Sequence, residues 1–311
     1  DVNLLIDLLA DLGVKVNRID RHTCVFEARD VQLEKLEDPA FKKDKNSPEK
    51  KADRIWDPEK AEEIARHCLN KRADVKDCSK ETSQAAPQLY DLTSLQREAN
   101  SRFGFSAKNT LNIAQALYER HKALTYPRTD SRHLPEDYQK TVSSVVSTQK
   151  SWQYGQYAQI ILDKKYIKND KRVFNNAKVS DHHAIIPTNK IPAQLSDAEK
   201  KIYRMVVQRF LAIFFPPARY LNTKRVSIVE KQTFLTEGKI LKEAGWKAVY
   251  LEGKPEKGAG ILKPIPETSE VNCTSIKQEK LETKPPPRYS EATLLSAMEN
   301  SGKLLDDEEL A

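Results

Sequence analysis

Helix punctuation between Thr93 and Pro217 constrains this chain more than any other feature of its sequence. Thr93-x-x-Gln96 has the form of a capping box, which satisfies the orphan N–H groups at a helix start, and it predicts a helix to about Arg102. Phe103-Gly104-Phe105-Ser106 ends that helix and caps a second one over 107–121, where Leu111, Ala114, Leu117 and Tyr118 recur at helical spacing. Ser196-x-x-Glu199 is another capping box, opening a helix to about Phe214 that Pro216-Pro217 closes because proline cannot continue it.

The flanking segments read differently. Asp57-Pro58 supplies an N-cap and a first-turn proline, and Ala61, Ile64, Ala65, Cys68 and Leu69 follow on one face, predicting a helix near 58–70. Before it, Val2–Leu12 reads as an amphipathic helix, Thr23–Ala28 as a strand and Glu34–Lys51 as a charge-rich loop. Ser79–Gln88 is polar and reads as loop, and Trp152–Arg172 as helix followed by loop. Alternation in Arg225–Val229, Thr233–Leu235 and Trp246–Tyr250 predicts strands, with a turn-rich loop over Gly253–Gly260. Pro285-Pro286-Pro287-Arg288-Tyr289 forms a stiff linker, and Ser290 caps a last helix through Glu299. At 311 residues the chain exceeds one typical core. The expected class is α+β and multidomain: a mixed segment over 1–90, a helical block over 91–214, a β-rich segment over 215–283 and the start of another helical region over 284–311.

The second predicted helix leads into Ala123-Leu124-Thr125-Tyr126-Pro127-Arg128-Thr129-Asp130-Ser131-Arg132. Extended backbone before Pro127 puts Tyr126 and Arg128 on the same side. A phenol beside a guanidinium suits attack on a phosphodiester, because arginine can fork onto phosphate oxygens. Most tyrosines near an arginine only pack and hydrogen-bond, so the pairing alone does not decide between nucleophile and scaffold. The net charge of +7 is unevenly spread. Ser94–His133 holds seven basic residues against three acidic ones, which points to a polyanionic partner or to a solvated basic helix face.

Other chemistry is weakly represented. Cys24, Cys68, Cys78 and Cys273 form no CxxC pair, arguing against zinc and for buried free thiols. No phosphate-cradling glycine loop is present, which argues against ATP. The acidic run Asp306–Glu309 reads as solvated rather than as a magnesium site. His182 and His183 in Ser180–Thr188 point to opposite sides of an extended chain, so they cannot easily share a metal. A DNA-nicking relaxase would want His-x-His, which is absent. No run approaches the ~20 apolar residues that span a bilayer, and a cytoplasmic protein with no membrane partner is expected.

Four blocks in order carry a resemblance. Leu89–Ala107, His121–Arg132, Asp181–Thr188 and Pro285–Lys303 closely resemble type IA DNA topoisomerases, and the doubled histidine before Ala184-Ile185-Ile186-Pro187-Thr188 looks like the topoisomerase III branch. The resemblance covers about 54–311. It implies part of a toroid, with 91–214 as the tyrosine-bearing domain, β-rich gate or arch segments on either side of it, and 284–311 opening a winged-helix-like domain. It implies that Tyr126 attacks single-stranded DNA and holds the 5′-phosphate, that Arg128 stabilises charge at the scissile phosphate, and that His182 contacts phosphate. His183, Thr125, Asp130 and Arg132 are implied as DNA contacts or as shapers of the motif. Religation then needs no ATP. The family's magnesium (Mg2+) belongs to an acidic Toprim domain, and nothing like it is visible here. The expectation is a central fragment whose own transesterification is impaired, with a catalytically incomplete single-strand-binding gate piece as the alternative. Other DNA-processing proteins are further expected partners.

Overall fold

The computed structural model describes residues 57–251 and 285–299, together with 55, 262, 265, 271–278, 280 and 282. The elements expected over Val2–Leu12, Thr23–Ala28, Glu34–Lys51, Gly253–Gly260 and Asp306–Glu309 lie outside the described residues. The chain divides into two compact units.

The first unit takes in the described residues up to Ser83, Arg219–Glu243 and the described residues between 262 and 286. Helix α1 (Pro58–Cys68) starts as expected: the Asp57 carboxylate accepts from Glu59 N at 3.0 Å, and Ala61, Ile64 and Cys68 are buried. The sheet has the order β3-β2-β1-β4, formed by β1 (Arg72–Gln84), β2 (Ala218–Val229), β3 (Gln232–Glu243) and β4 (Val271–Asn272). β2 and β3 form an antiparallel hairpin through Glu230-Lys231, both at positive φ, which matches the right-handed strand twist without a glycine.

The loop expected over Ser79–Gln88 is instead strand as far as Gln84. Its side chains are mostly exposed, so no period of two marks it, and its partners are polar. Ser79 Oγ lies 2.9 Å from Thr223 Oγ1, and Asn222 Nδ2 donates to Thr82 Oγ1 at 2.7 Å. Asp77 forks onto the fully buried Arg225, at 2.7 Å to Nε and 2.7 Å to Nη2. Cys68 and Cys273 are buried free thiols, as expected, whereas Cys78 is exposed on β1.

The second unit comprises Gln84–Ala218, Ala244 to Leu251 and the described residues from Pro287. Helix α2 (Leu92–Phe103) begins two residues earlier than its predicted box. Asp91 is the N-cap and accepts from Ser94 N at 2.8 Å, while Ser94 Oγ accepts from Asp91 N at 3.2 Å. Gln96 is buried and donates to Ala107 O at 3.0 Å, so it is used in packing rather than in the expected Thr93 capping box. Gly104, at φ +70°, closes α2 by donating to Asn100 O at 2.8 Å. Ser106 caps α3 (Ala107–Glu119), and Ser196 with Glu199 caps α6 (Asp197–Ala212), both as expected. Between them lie α4 (Gln139–Gln149) and α5 (Gly155–Asp163).

Trp246–Tyr250 is not a strand. A 3-10 turn (Gly245–Lys247) runs into the short helix α7 (Ala248–Leu251), with the Trp246 and Tyr250 rings 5.6 Å apart on the same side. Large–small alternation over five residues fits a helical i,i+4 pair as well as a strand face. Gly245, at φ +50°, lies where a Cβ would meet Pro216 O at 2.4 Å, which locks the turn against the Pro216-Pro217 stop. The last helix, α8 (Glu291–Glu299), packs on α2. The core of this unit is built from Leu95, Leu117, Phe174, Tyr203 and Phe210, all fully buried.

Candidate active site

Tyr126 sits where two extended segments meet. Residues 123–125 pair with 186–188: Leu124 bridges Pro187, Thr125 N donates to Ile186 O at 3.0 Å and Thr188 N donates to Ala123 O at 3.0 Å. Tyr90, just before α2, bridges Ile185 on the same segment. The apolar run Ala184-Ile185-Ile186-Pro187 is fully buried, so it anchors the segment while its polar neighbours stay at the surface. Thr125 Oγ1 staples the two segments together, accepting from Ile186 N at 3.0 Å and donating to Ala184 O at 3.2 Å. One turn further on, Thr129 Oγ1 donates to His182 O at 2.9 Å, and Leu92 N donates to Thr129 O at 3.0 Å.

This framework brings together residues distant in sequence. The half-buried Tyr126 ring lies 4.4 Å from the exposed His182 ring, centroid to centroid, and 5.5 Å edge-on from Tyr118 of α3. Arg128 is exposed, and its Nη2 donates to Gln115 Oε1 at 3.4 Å. Gln115 and Tyr118 are one helical turn apart, so Tyr126 and Arg128 both reach the same face of α3, in keeping with the expected same-side projection. A guanidinium has five donors, so the Gln115 contact orients Arg128 while leaving donors for a phosphate.

The two adjacent histidines diverge: His182 lies against Tyr126, and His183 turns to other neighbours. His183 packs at 4.9 Å on the Tyr138 ring with Nδ1 2.8 Å from Ala184 O, and burial lowers its pKa, favouring the neutral ring. His133, against Gln88 at 3.2 Å, is likewise lowered by burial and by the charges of Lys178 and Arg132. Asp130 is exposed and accepts from Ser180 Oγ at 2.7 Å, tying the Tyr126 loop to the segment before His182. Arg132 donates through Nε to the α2 N-cap Asp91 at 2.7 Å and through Nη2 to Glu299 of α8 at 3.4 Å.

Sequence reasoning did not find three supporting residues. Gln115 and Tyr118 look like ordinary helix-surface positions until the fold turns Tyr126 back onto them. Arg209 of α6 donates to Gln88 O at 2.9 Å and to the hydroxyls of Tyr90 and Tyr250 at 3.1 Å each, and it pairs with Glu98. Its guanidinium lies 4.2 Å over the Tyr90 ring, next to the bridge that holds Ile185. Its position seven residues after Ile202 on an apolar helix offers no local signal.

Among the described residues, the magnesium that the resemblance implies finds no donor set. Among the described residues no group of three or more His, Cys, Asp or Glu could hold a metal ion. Likewise, among the described residues no helix is long and apolar enough to cross a membrane.

A family model described as DNA topoisomerase matches residues 29–302. The DNA topoisomerase 3 of Bacillus licheniformis is 45% identical over 230 residues, covering 72% of this chain and 32% of that protein. The DNA topoisomerase 3 of Bacillus subtilis is 40% identical over 267 residues, covering 83% of this chain and 37% of that protein. The solved full-length topoisomerase I of Thermotoga maritima superposes with a TM-score of 0.58 at 27% identity, over 80% of this chain and 40% of that one. The chain thus spans about a third of the length of the curated relatives it matches.

Proposed function

The chain belongs to the DNA topoisomerase family, type IA, and on that premise we propose that Tyr126 is the nucleophile of a strand-breaking and rejoining reaction on single-stranded DNA. The observation that carries this reading is the 4.4 Å contact between the Tyr126 and His182 rings, made across two segments stapled by Thr125 and Thr129. The phenol gives up its proton to solvent as its oxygen attacks phosphorus, the bond to the 3′ oxygen breaks, and the departing 3′ oxygen takes up a proton from solvent, so the two proton transfers balance. The 5′-phosphate stays on Tyr126. Reversal returns the phosphate to the 3′ hydroxyl and frees the phenol, so the bond energy is conserved and no ATP is consumed.

In this reading Arg128, oriented by Gln115, holds non-bridging phosphate oxygens and offsets the charge that builds on them. His182 is an exposed donor beside the same phenol. His183, half-buried and biased to the neutral form, keeps Ala184 and Tyr138 in place. Asp130 and Arg132 shape the loop through Ser180 and Asp91. The helical unit is the tyrosine-bearing body, the segment over 215–283 belongs to the gate, and the reaction serves relaxation or decatenation in the cytoplasm.

The decisive experiment uses a labelled single-stranded oligonucleotide whose scissile linkage carries a bridging 3′ sulfur. A thiolate leaves without help from an acid, so the assay isolates attack by this chain. A denaturation-resistant adduct that Tyr126→Phe abolishes is the expected result. An equal adduct from Tyr126→Phe overturns the assignment. DNA binding without any adduct would leave the single-strand-binding gate piece as the better description.

A further inference from the structure

A cleft of about 1000 Å³ opens in the helical unit, and none of the residues assigned to the Tyr126 site lines it. Its walls include Arg120, His121, Trp152, Lys190, Glu199 and Lys200. Their charge does not balance within the cleft. Glu199 is buried, and its Oε2 accepts from Ser196 N at 2.9 Å and Ser196 Oγ at 2.8 Å. Its Oε1 accepts from Arg120 and lies 3.1 Å from His121 Nε2. Burial raises the carboxyl pKa, but the Ser196 and His121 hydrogen bonds and the Arg120 charge outweigh it and hold the group at about 2. The one acid among these walls is therefore ionised and engaged from within. Lys190 and Lys200 are exposed and pair with no acid among the described residues.

An aromatic side chain, Trp152, lines the same cleft. Trp152 is half-buried, its indole held edge-on against Tyr203 at 4.8 Å. Cations beside an anchored aromatic plane match the two parts of a nucleotide, since phosphate takes the charge and a base stacks on the ring. An acidic peptide would use the cations and leave the indole idle.

Placement points to the strand that Tyr126 engages. The paired segments 123–125 and 186–188 carry Tyr126 and His182 toward one end. At the other end, Thr188 Oγ1 donates to Lys122 O at 2.6 Å, and the two chains run into Arg120-His121 and Lys190. Extended backbone from Tyr126 back to Ala123 covers about 10 Å before Lys122, at φ +53°, turns the chain into Arg120-His121, which puts the cleft within a few nucleotides of the phenol. Resting on the reading of Tyr126 as a DNA nucleophile, we propose that this cleft is a second subsite for the same single strand. Lys190, Lys200 and Arg120 hold its phosphates, and Trp152 stacks a base a few nucleotides from the scissile bond.

The test uses the full chain carrying Tyr126→Phe, so that no covalent trapping intrudes, and a fluorescent single-stranded oligonucleotide titrated at several salt concentrations. Releasing roughly 0.7 counterions per single-strand phosphate contact, the Lys190→Ala, Lys200→Ala double variant should flatten the log–log salt slope by about 1.4. Both lysines are exposed, so the melting temperature should hold. In parallel, 5-iodouracil placed a few nucleotides from the scissile linkage should crosslink to Trp152 on irradiation. An unchanged slope, crosslinks confined to other peptides, or no binding by the parent chain overturns the proposal. An unchanged slope here, together with a Tyr126 adduct when the unsubstituted chain meets the bridging-sulfur oligonucleotide, removes the cleft alone. A flattened slope together with no adduct when the unsubstituted chain meets the bridging-sulfur oligonucleotide keeps a single-strand site and removes the nucleophile.

Discussion

Replacing Thr125 with valine removes one oxygen from the neighbourhood of Tyr126 at almost constant shape. That oxygen accepts from Ile186 N at 3.0 Å and donates to Ala184 O at 3.2 Å. The two losses are unequal. Ala184 O keeps His183 Nδ1 at 2.8 Å, whereas Ile186 is 1% exposed and its N–H would be left without an acceptor. An orphaned buried donor costs about 1–3 kcal/mol, so Thr125→Val should destabilise by about 2 kcal/mol. At roughly 2–4 °C per kcal/mol for larger domains, melting should fall by about 4–8 °C, read by calorimetry or circular dichroism. Thr125→Ser keeps the oxygen and should stay within about 0.5 kcal/mol of the parent, aside from the lost methyl. If Thr125→Val melts like the parent yet loses DNA adduct, the hydroxyl contacts DNA directly and the staple reasoning is wrong.

Arg128→Ala should leave the melting temperature unchanged, because the side chain is exposed and holds only Gln115, while adduct formation drops roughly 10²–10³-fold. Parallel losses of stability and adduct would make it structural. Asp77→Asn strips the carboxylate from the buried Arg225 and should destabilise the sheet unit by about 3 kcal/mol in denaturant titrations, toward the low end of the range because Asp77 is partly exposed. A change below about 1 kcal/mol would mean that the guanidinium is solvated. Burial depresses the pKa values of His133 and His183 in the folded chain, so below pH ~6.5 the unfolded chain binds more protons and stability falls with falling pH. Denaturant midpoints between pH 5 and 8 should show this loss, and His183→Gln should lessen it; a flat profile refutes it. Glu199, held at about 2, adds a separate loss between about pH 4.5 and 2 that Glu199→Gln should remove.

Where a helix start depends on one residue and its neighbours three positions away, sequence and structure agree: Asp57, Ser106 and Ser196 cap the helices expected of them. The Thr93 box predicts the start of α2, but the structure caps it with Asp91 and Ser94 and buries Gln96 against Ala107 O instead of leaving it in a capping box. β1 escaped notice for the opposite reason. A strand whose side chains face water and polar partners on a neighbouring strand has no hydrophobic period to read.

The candidate site divides along the same line. Tyr126, Arg128 and the doubled histidine stand out as local patterns, because adjacent residues on extended backbone must point in alternating directions whatever surrounds them. That much the sequence determined alone, along with the helix punctuation and the basic surplus around the motif. The tertiary structure decided which side chains meet. It set Tyr126 on His182 rather than His183, turned Arg128 onto Gln115, committed Arg132 to Asp91 and Glu299, and buried Arg209 beneath Tyr90. Those pairings depend on the buried run Ala184–Pro187 docking against residues 123–125, and burial of apolar surface is non-directional in sequence. It specifies that such a segment must be covered, while the packed core specifies by what.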